Sequence, residues 1–519
     1  MVSSYAKDFS VTWASPEDAA QTWIYDPMHA PDPVCQLGAE FWDRMYERYM
    51  SCRTVYINGY AFSTQPTPRP PTKEIIERGV LDVWTNDYLP QVTRFCRDVR
   101  RRDYEAMSLR ELGDAVDGIL QEGVLAFGFT MKPITGFMGP TFGFVSFLEG
   151  ELGPRAAQVA ATLLQGFENG TAAAGAGLSD LAEEAARQPA VAEALRQGRY
   201  DELESVEGGP QFLAKFHAYL EEFGWRVDSW AVMERPTWAE NPRMPLMLIA
   251  HYINDPGRSP RAAHERSAAE REAAVREVEA ALPPEKLPAF RSMLQAVQSH
   301  VPVSEGRALW QLMVIGSLRV PFLALGRKLV AAGALHSPDD VFFFTTAELR
   351  AAARTPSPQT AAIADQRRAD FASWRELTPP PFLGAPPDPA HIPSEMAPIV
   401  TLFFGLGPAQ VEGREIKGQA ASKGRVTAKA RVIKDLAEAS RLQPGEVLVC
   451  TTTAPPWTPL FAIASAVVTD SGGVLSHSAI CAREYAIPCV VATQVATQMI
   501  QDGATITVDG TAGVVRIEA

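Results

Sequence analysis

The chain has 519 residues and a mass of 56.5 kDa, enough for two to four domains at roughly 100–200 residues each. Its composition, 46% hydrophobic and 21% charged, is that of a globular protein and excludes global disorder. Lys plus Arg number 48 against 61 Asp plus Glu, and the net charge of −13 excludes nucleic-acid or anionic-membrane binding through bulk charge.

Six scattered cysteines form no CxxC pair and no metal-ligand spacing, so no metal site is expected. The N-terminus, MVSSYAKDFSVTW, lacks the apolar core of a signal peptide. The most apolar stretch, Val320 to Leu335, is interrupted by Arg327–Lys328 and falls short of the ~18 residues of a membrane span. A reduced cytoplasmic protein with no membrane partner is the expectation.

Taken in order, residues 1–377 predict a mainly α-helical domain. Ala, Leu, Glu and Arg dominate, apolar positions recur at three- and four-residue spacing, and alternating β-type runs are scarce. Ala156 to Phe167 shows the pattern. Ala262 to Leu282 shows it again, stops at Pro283–Pro284 and restarts as Glu285 to Val301. The first hundred or so residues are less regular, with Pro-rich loops at Pro31–Pro33 and Pro66–Pro71.

Residues 378–412 read as a linker, because six prolines fall between Pro379 and Pro389 and exclude a helix there. The segment is either a strap lying flat on its own domain or a tether for a domain that travels. Extended as polyproline, its first 21 residues would reach about 65 Å. Residues 413–519 then predict a compact α/β module. Strands are expected at Gly424–Ile433, Glu446–Val449, Ala464–Val468, Ile487–Val491, Ala504–Val508 and Gly513–Ile517, with helices near His477–Tyr485 and Ala496–Ile500.

The informative stretch is TDSGGVLSHSAICARE, Thr469 to Glu484. A strand enters a Ser471–Gly472–Gly473 turn, and a helix opens with Ser476 at the N-cap and His477 as its first residue. A helix start disfavours imidazolium, so the ring stays neutral and nucleophilic. The free N–H groups welcome an anion, and the glycines let a bulky polyphosphate approach. These features suit a covalent phosphoryl carrier. They also suit a capped helix start whose histidine only satisfies a backbone carbonyl.

GGVLSHSAICAREYAIPCVV, followed by AT, DG, ITVDG and GVV, resembles the swivelling phosphohistidine domain of the phosphoenolpyruvate-utilising enzymes. That group includes phosphoenolpyruvate synthase, pyruvate phosphate dikinase, rifampin phosphotransferase and the phenylphosphate synthases. The matches run from Gly472 to Gly513, and Gly418, Ser422 and Gly424 match the first strand, with Lys423 where the family carries proline. The resemblance implies that His477 is the phosphorylated residue and that Gly472, Gly473, Ser476 and Arg483 support the phosphoryl group. Arg483 alternatively pairs with a carboxylate such as Asp470.

Residues Trp13 to Pro33, Phe223 to Pro242 and Leu325 to Leu349 are similar, more weakly, to the acceptor-binding helical domain of the rifampin phosphotransferase group. Trp225 stands where that group has histidine, and a flat indole there favours an apolar acceptor. His29, Trp225, Arg226, Asp228, Arg307 and Arg327 are the candidate acceptor-site residues. His29 is the candidate base, and Arg226 and Asp228 either orient an acceptor hydroxyl or form a structural ion pair. No glycine-rich ATP-grasp stretch and no pyruvate barrel is recognisable, so the resemblance implies ATP and Mg2+ on a separate ATP-grasp subunit, as in the phenylphosphate synthases. The expected activity is transfer of a phosphoryl group from His477 to the hydroxyl of a small aromatic acceptor such as a phenol. The alternatives are a split rifamycin-type antibiotic phosphotransferase, and a phosphocarrier or regulatory protein with a protein partner.

Overall fold

The computed structural model describes residues 9–27, 29–65, 69–168, 170–227, 230–385, 405, 409–434, 436–454, 457–458 and 460–518. They form two compact units. The first comprises Met1–Gly136, Ser229–Thr237 and Trp310–Ile392, and the second Phe137–Asp228, Trp238–Leu309 and Pro393–Ala519. This division departs from boundaries at 377 and 412, because the helical part belongs to both units. Ser229–Thr237 joins the first unit through long-range bonds that no local pattern announces. Arg319 Nη1 donates to the Met233 carbonyl at 2.6 Å, and Arg235 pairs with Asp32 at 2.9 Å.

The first unit contains a four-stranded antiparallel sheet that the scarcity of alternating runs did not predict. It consists of β1 (Thr22–Tyr25), β2 (Thr54–Ile57), β3 (Tyr60–Ser63) and β4 (Phe382–Gly384), in the order β2-β3-β1-β4. Asn58 and Gly59 join β2 to β3 with φ of 50° and 74°, a two-residue hairpin turn that Asn-Gly favours. A Cβ on Gly59 would lie 2.6 Å from the Trp374 ring, so packing and conformation both require glycine there. Strand β4 comes from within the residues read as linker, and 386–404 and 406–408 of that segment lie outside the described residues.

Helices build the rest of the first unit and much of the second. Leu109–Met131 opens with a capping box of Ser108 and Glu111. Pro260–Ala281 starts at Ser259, whose hydroxyl accepts from Ala262 N. The helix expected to end near Val301 instead runs for 45 residues, Leu287–Ala331, through Pro302 and Pro321. An interior proline costs about 3 kcal/mol, and burial of Val303, Leu309, Leu312, Leu318, Phe322 and Leu325 offsets it. This helix is long and apolar enough to cross a membrane, but 78% of its apolar window is buried inside the protein.

The second unit also contains a nine-stranded mixed sheet, in the order β5-β6-β13-β12-β8-β9-β10-β11-β7. Its strands are β5 (Gln410–Glu412), β6 (Glu415–Lys417), β7 (Gln419–Ser422), β8 (Arg425–Val432), β9 (Val447–Cys450), β10 (Ala466–Thr469), β11 (Cys489–Val491), β12 (Thr505–Asp509) and β13 (Val514–Ile517). The six strands read from the sequence are all present. Strands β5 and β6, three residues each, were missed, and β7 falls in the stretch around Ser422 that matches the family's first strand. Strands β8 to β11 are mutually parallel, which puts the loops after β9 and β10 at one end of the sheet. The core holds Ile416, Val447, Val449, Val468, Val490, Ile506, Val508 and Val515.

The β12–β13 turn passes so close to β7 and β11 that a Cβ on Gly510 would lie 2.0 Å from the Ser422 carbonyl oxygen and 2.7 Å from Cys489 N. Both obstacles are backbone and cannot swing aside. Gly510→Ala is expected to cost about 1–3 kcal/mol, read as a lower urea midpoint with an unchanged slope.

Candidate active site

Strand β10 delivers the chain to the parallel end of the sheet, where α/β folds place their ligands. The ladder continues past the strand, as Asp470 N and Ser471 N donate to the carbonyls of Cys450 and Thr451 at 3.1 and 3.0 Å. Asp470 in turn accepts from Thr497 N at 3.1 Å and from the hydroxyls of Thr493 and Thr497. Burial pushes the Asp470 carboxyl up to about 6 against those hydrogen bonds. The loop is therefore anchored before its glycines begin.

Gly472 has φ of 91°, and a Cβ on it would lie 2.9 Å from Ser476 Oγ. The Gly473 carbonyl accepts from Ser476 N at 2.9 Å, closing the turn. Ser476 occupies the N-cap of the His477–Glu484 helix with φ −72° and ψ 162°, as the sequence predicts, yet its hydroxyl makes no capping bond. That hydroxyl is buried without a hydrogen-bond partner among the described residues.

His477 is half-buried at the first position of the helix. Its Nε2 lies 3.1 Å from Thr458 Oγ1 and 3.4 Å from Cys481 Sγ, one helical turn on. Burial pushes the imidazole down to about 4, while a hydrogen bond to the Ala454 carbonyl pulls the other way. The ring is neutral at pH 7, with a nitrogen lone pair available to an electrophile.

Arg483 sits beneath the loop. Its Nη1 donates to the carbonyls of Ala421 and Val474 at 2.9 and 3.0 Å, so it staples β7 to the glycine loop and is not paired with Asp470. Nε and Nη2 have no hydrogen-bond partner among the described residues. Around it lies a charged cluster that sequence reasoning missed. Burial, reinforced by Glu305, pushes Glu484 up to about 7 against Arg483. Glu305 is itself raised by burial, opposed by Arg307 and Arg483. Arg307 lies over the Phe137 ring at 5.5 Å, and burial pushes its guanidinium down to about 10 against Glu305. Two carboxyls and two guanidiniums, from a helix of the 137–309 segment and from the histidine's own helix, thus lie near enough to shift one another's protonation, Glu305, Arg307 and Glu484 being half-buried and Arg483 buried.

The remaining candidates are dispersed. Trp225 is half-buried just beyond the Gly209–Phe223 helix, and Arg226 is buried, stacked at 3.9 Å on Trp238 and hydrogen-bonded to Tyr219. Asp228 lies outside the described residues. His29 and Arg327 belong to the first unit. Arg327 is exposed and bound to Glu105, with Nη2 at 2.6 Å. His29 Nδ1 lies 2.8 Å from Asp26, which also accepts from Tyr46 at 2.7 Å, and the His29 ring packs edge-on to Trp230 at 5.3 Å. Burial pushes the Asp26 carboxyl up, but His29 and Tyr46 outweigh it and hold it at about 2.

Two segments of the chain match families of known proteins. Residues 442–513 match the family described as PEP-utilising enzyme, mobile domain, and residues 131–305 match the rifampicin phosphotransferase fourth domain. Two stretches of the chain are thus similar, one to the mobile domain of the phosphoenolpyruvate-utilising enzymes and the other to a helical domain of the rifampicin phosphotransferases. Among curated relatives, chondramide synthase of Chondromyces crocatus is 29% identical over 98% of this chain and 14% of its own length. The uncharacterized phosphotransferase YvkC of Bacillus subtilis is 32% identical over 61% of this chain and 38% of its own length. A rifampicin phosphotransferase of Streptomyces sviceus is 30% identical over 80% and 48%. The chain spans less than half the length of each of these three relatives.

The depressed histidine has a measurable signature. His477 is expected to show no imidazole titration between pH 5 and 8 by NMR, whereas an unfolded-state histidine takes up its proton near 6.5. Because the unfolded chain binds that proton first, His477 is expected to contribute a loss of stability as pH falls from about 6.5 to about 4, and no further loss below. His477→Gln should flatten that part of the pH–stability curve.

Proposed function

We propose that this chain is a phosphotransferase component in which His477 accepts a phosphoryl group and passes it to the hydroxyl of a small aromatic acceptor. The observation that carries the reading is the half-buried, neutral His477 at a helix start behind a glycine turn, within a segment matching the mobile domain. The rifampicin phosphotransferase and phosphotransferase relatives support the chemical class. In this reading a separate ATP-grasp subunit binds ATP and Mg2+. ATP, water and the histidine give phosphohistidine, AMP and inorganic phosphate, with the β-phosphoryl on His477.

Transfer then breaks the P–N bond as a P–O bond forms to the acceptor oxygen. The N–P electron pair returns to the ring, which leaves as neutral imidazole, and the acceptor's O–H proton goes to the Glu305–Glu484 pair. A carboxyl pair that resists full ionisation is suited to taking one proton near neutral pH. The spare N–H groups of Arg483 and the Arg307 guanidinium would neutralise charge on the transferring group. Trp225 favours a flat acceptor. The Streptomyces relative favours a rifamycin-type acceptor as the second reading.

The test supplies an ATP-grasp protein and β-labelled ATP to wild type and His477→Ala, followed by a chase with phenols, aromatic alcohols and a rifamycin. Acid-labile label on wild type alone, discharged by one acceptor class, is the expected result. Label from phosphoenolpyruvate and not ATP would replace the donor, and no label from either would sink the carrier reading. Glu305→Gln is expected to leave labelling of His477 intact and to slow its discharge to acceptor by about 10²–10⁴-fold, the range for loss of a general base.

A further inference from the structure

We propose that the 137–309 helical segment holds a dedicated seat for the histidine-bearing domain: a polar grip by His251 and Arg258, and an apolar socket for Val474 and Leu475. The inference rests on the reading of His477 as a travelling phosphoryl carrier. It names the surface that receives the carrier at the acceptor side.

The grip is made on backbone. Arg258 Nη1 donates to the carbonyls of Ala462 and Ala464 at 3.1 and 3.2 Å, and His251 Nε2 lies 3.1 Å from the Ala462 carbonyl. These carbonyls close the short Leu460–Ile463 helix, where no intrahelical donor remains for them. Asp255, 3.7 Å from Arg258 Nε, holds the guanidinium in place. Such a grip reads the position of the segment and is indifferent to its side chains.

The socket is made of side chains. Val474 and Leu475 are buried in the same apolar cluster as Phe144, Leu148, Ala160, Phe290 and Leu294, all from the helical segment. A glycine loop on the face of an α/β domain has no reason of its own to display two aliphatic residues, and the cluster supplies one.

Grip and socket flank the histidine. Thr458, whose hydroxyl lies 3.1 Å from His477 Nε2, directly leads the gripped segment, and Leu475 stands two residues before His477. Seating therefore fixes both backbone segments that meet at the ring. Departure toward a phosphoryl donor breaks the grip and bares Val474 and Leu475, so the donor's docking face must offer an apolar socket of its own.

The experiment is hydrogen–deuterium exchange on the full chain, comparing wild type with the His251→Ala/Arg258→Ala double variant. Peptides covering 460–464 and 474–476 are expected to exchange at least tenfold faster in the variant, with β8 and β12 peptides unchanged. With a separately supplied ATP-grasp protein, the variant should label His477 several-fold faster and discharge it to acceptor several-fold more slowly. Unchanged exchange at both segments overturns the seat. Should the double variant lose structure generally, Arg258→Gln, which retains the aliphatic stem, decides on the same two peptides. An exchange response in a protein whose His477 cannot be labelled would keep the seat and sink the carrier reading, so the two failures are distinguishable.

Discussion

Everything at the candidate site depends on keeping an imidazole out of water. A solvated histidine is partly protonated at neutral pH and loses its nucleophilic lone pair in proportion. At His477, packing removes the water that would stabilise the cation, and the helix start offers further N–H dipoles that oppose positive charge. The surrounding structure serves that constraint. Asp470 anchors the loop from one side, Arg483 staples it from below, and Gly472 permits the backbone to turn where a side chain would strike Ser476.

The same dehydration governs the neighbouring charges. Burial pushes Glu305 and Glu484 toward their protonated forms against the pull of Arg483, and Arg307 and Arg483 feel the complementary penalty. Such a cluster is a poor source of stability. In the proposed reaction it is the reservoir for one proton and the counter-charge for a dianionic group, which is what phosphoryl transfer by position and electrostatics asks of a protein.

The first unit holds a second polar centre of another kind. There the Asp26 carboxylate is charged and held by Tyr46 and His29, and the His29 ring packs at a tilt on Trp42 and edge-on to Trp230. A half-buried carboxylate held by two partners fixes the orientation of its histidine. Arg327, by contrast, is spent on Glu105 at the surface, where an ion pair contributes little.

The sequence by itself determined the histidine-bearing domain. Six of its nine strands, its two helices near 477 and 496, the glycine turn and the N-cap position of Ser476 are local facts, set by alternation, capping and turn chemistry within a few residues. The first unit's small sheet was legible only in part: Asn58–Gly59 is a strong hairpin signal, but β4 comes from more than three hundred residues away. Tertiary structure alone decided the rest. Leu287–Ala331 runs through two prolines because burial outweighs propensity. Ser229–Thr237 belongs to the first unit because Arg319 reaches Met233 and the segment's own Arg235 reaches Asp32. Glu305 and the Arg258 grip meet the histidine's domain across separations of up to about two hundred residues, where no periodicity operates, and Thr458 meets His477 from 19 residues away within it. A carboxylate's proton affinity is likewise written in what surrounds it, and Glu484 is pushed up to about 7 only once the fold has packed it beside Glu305.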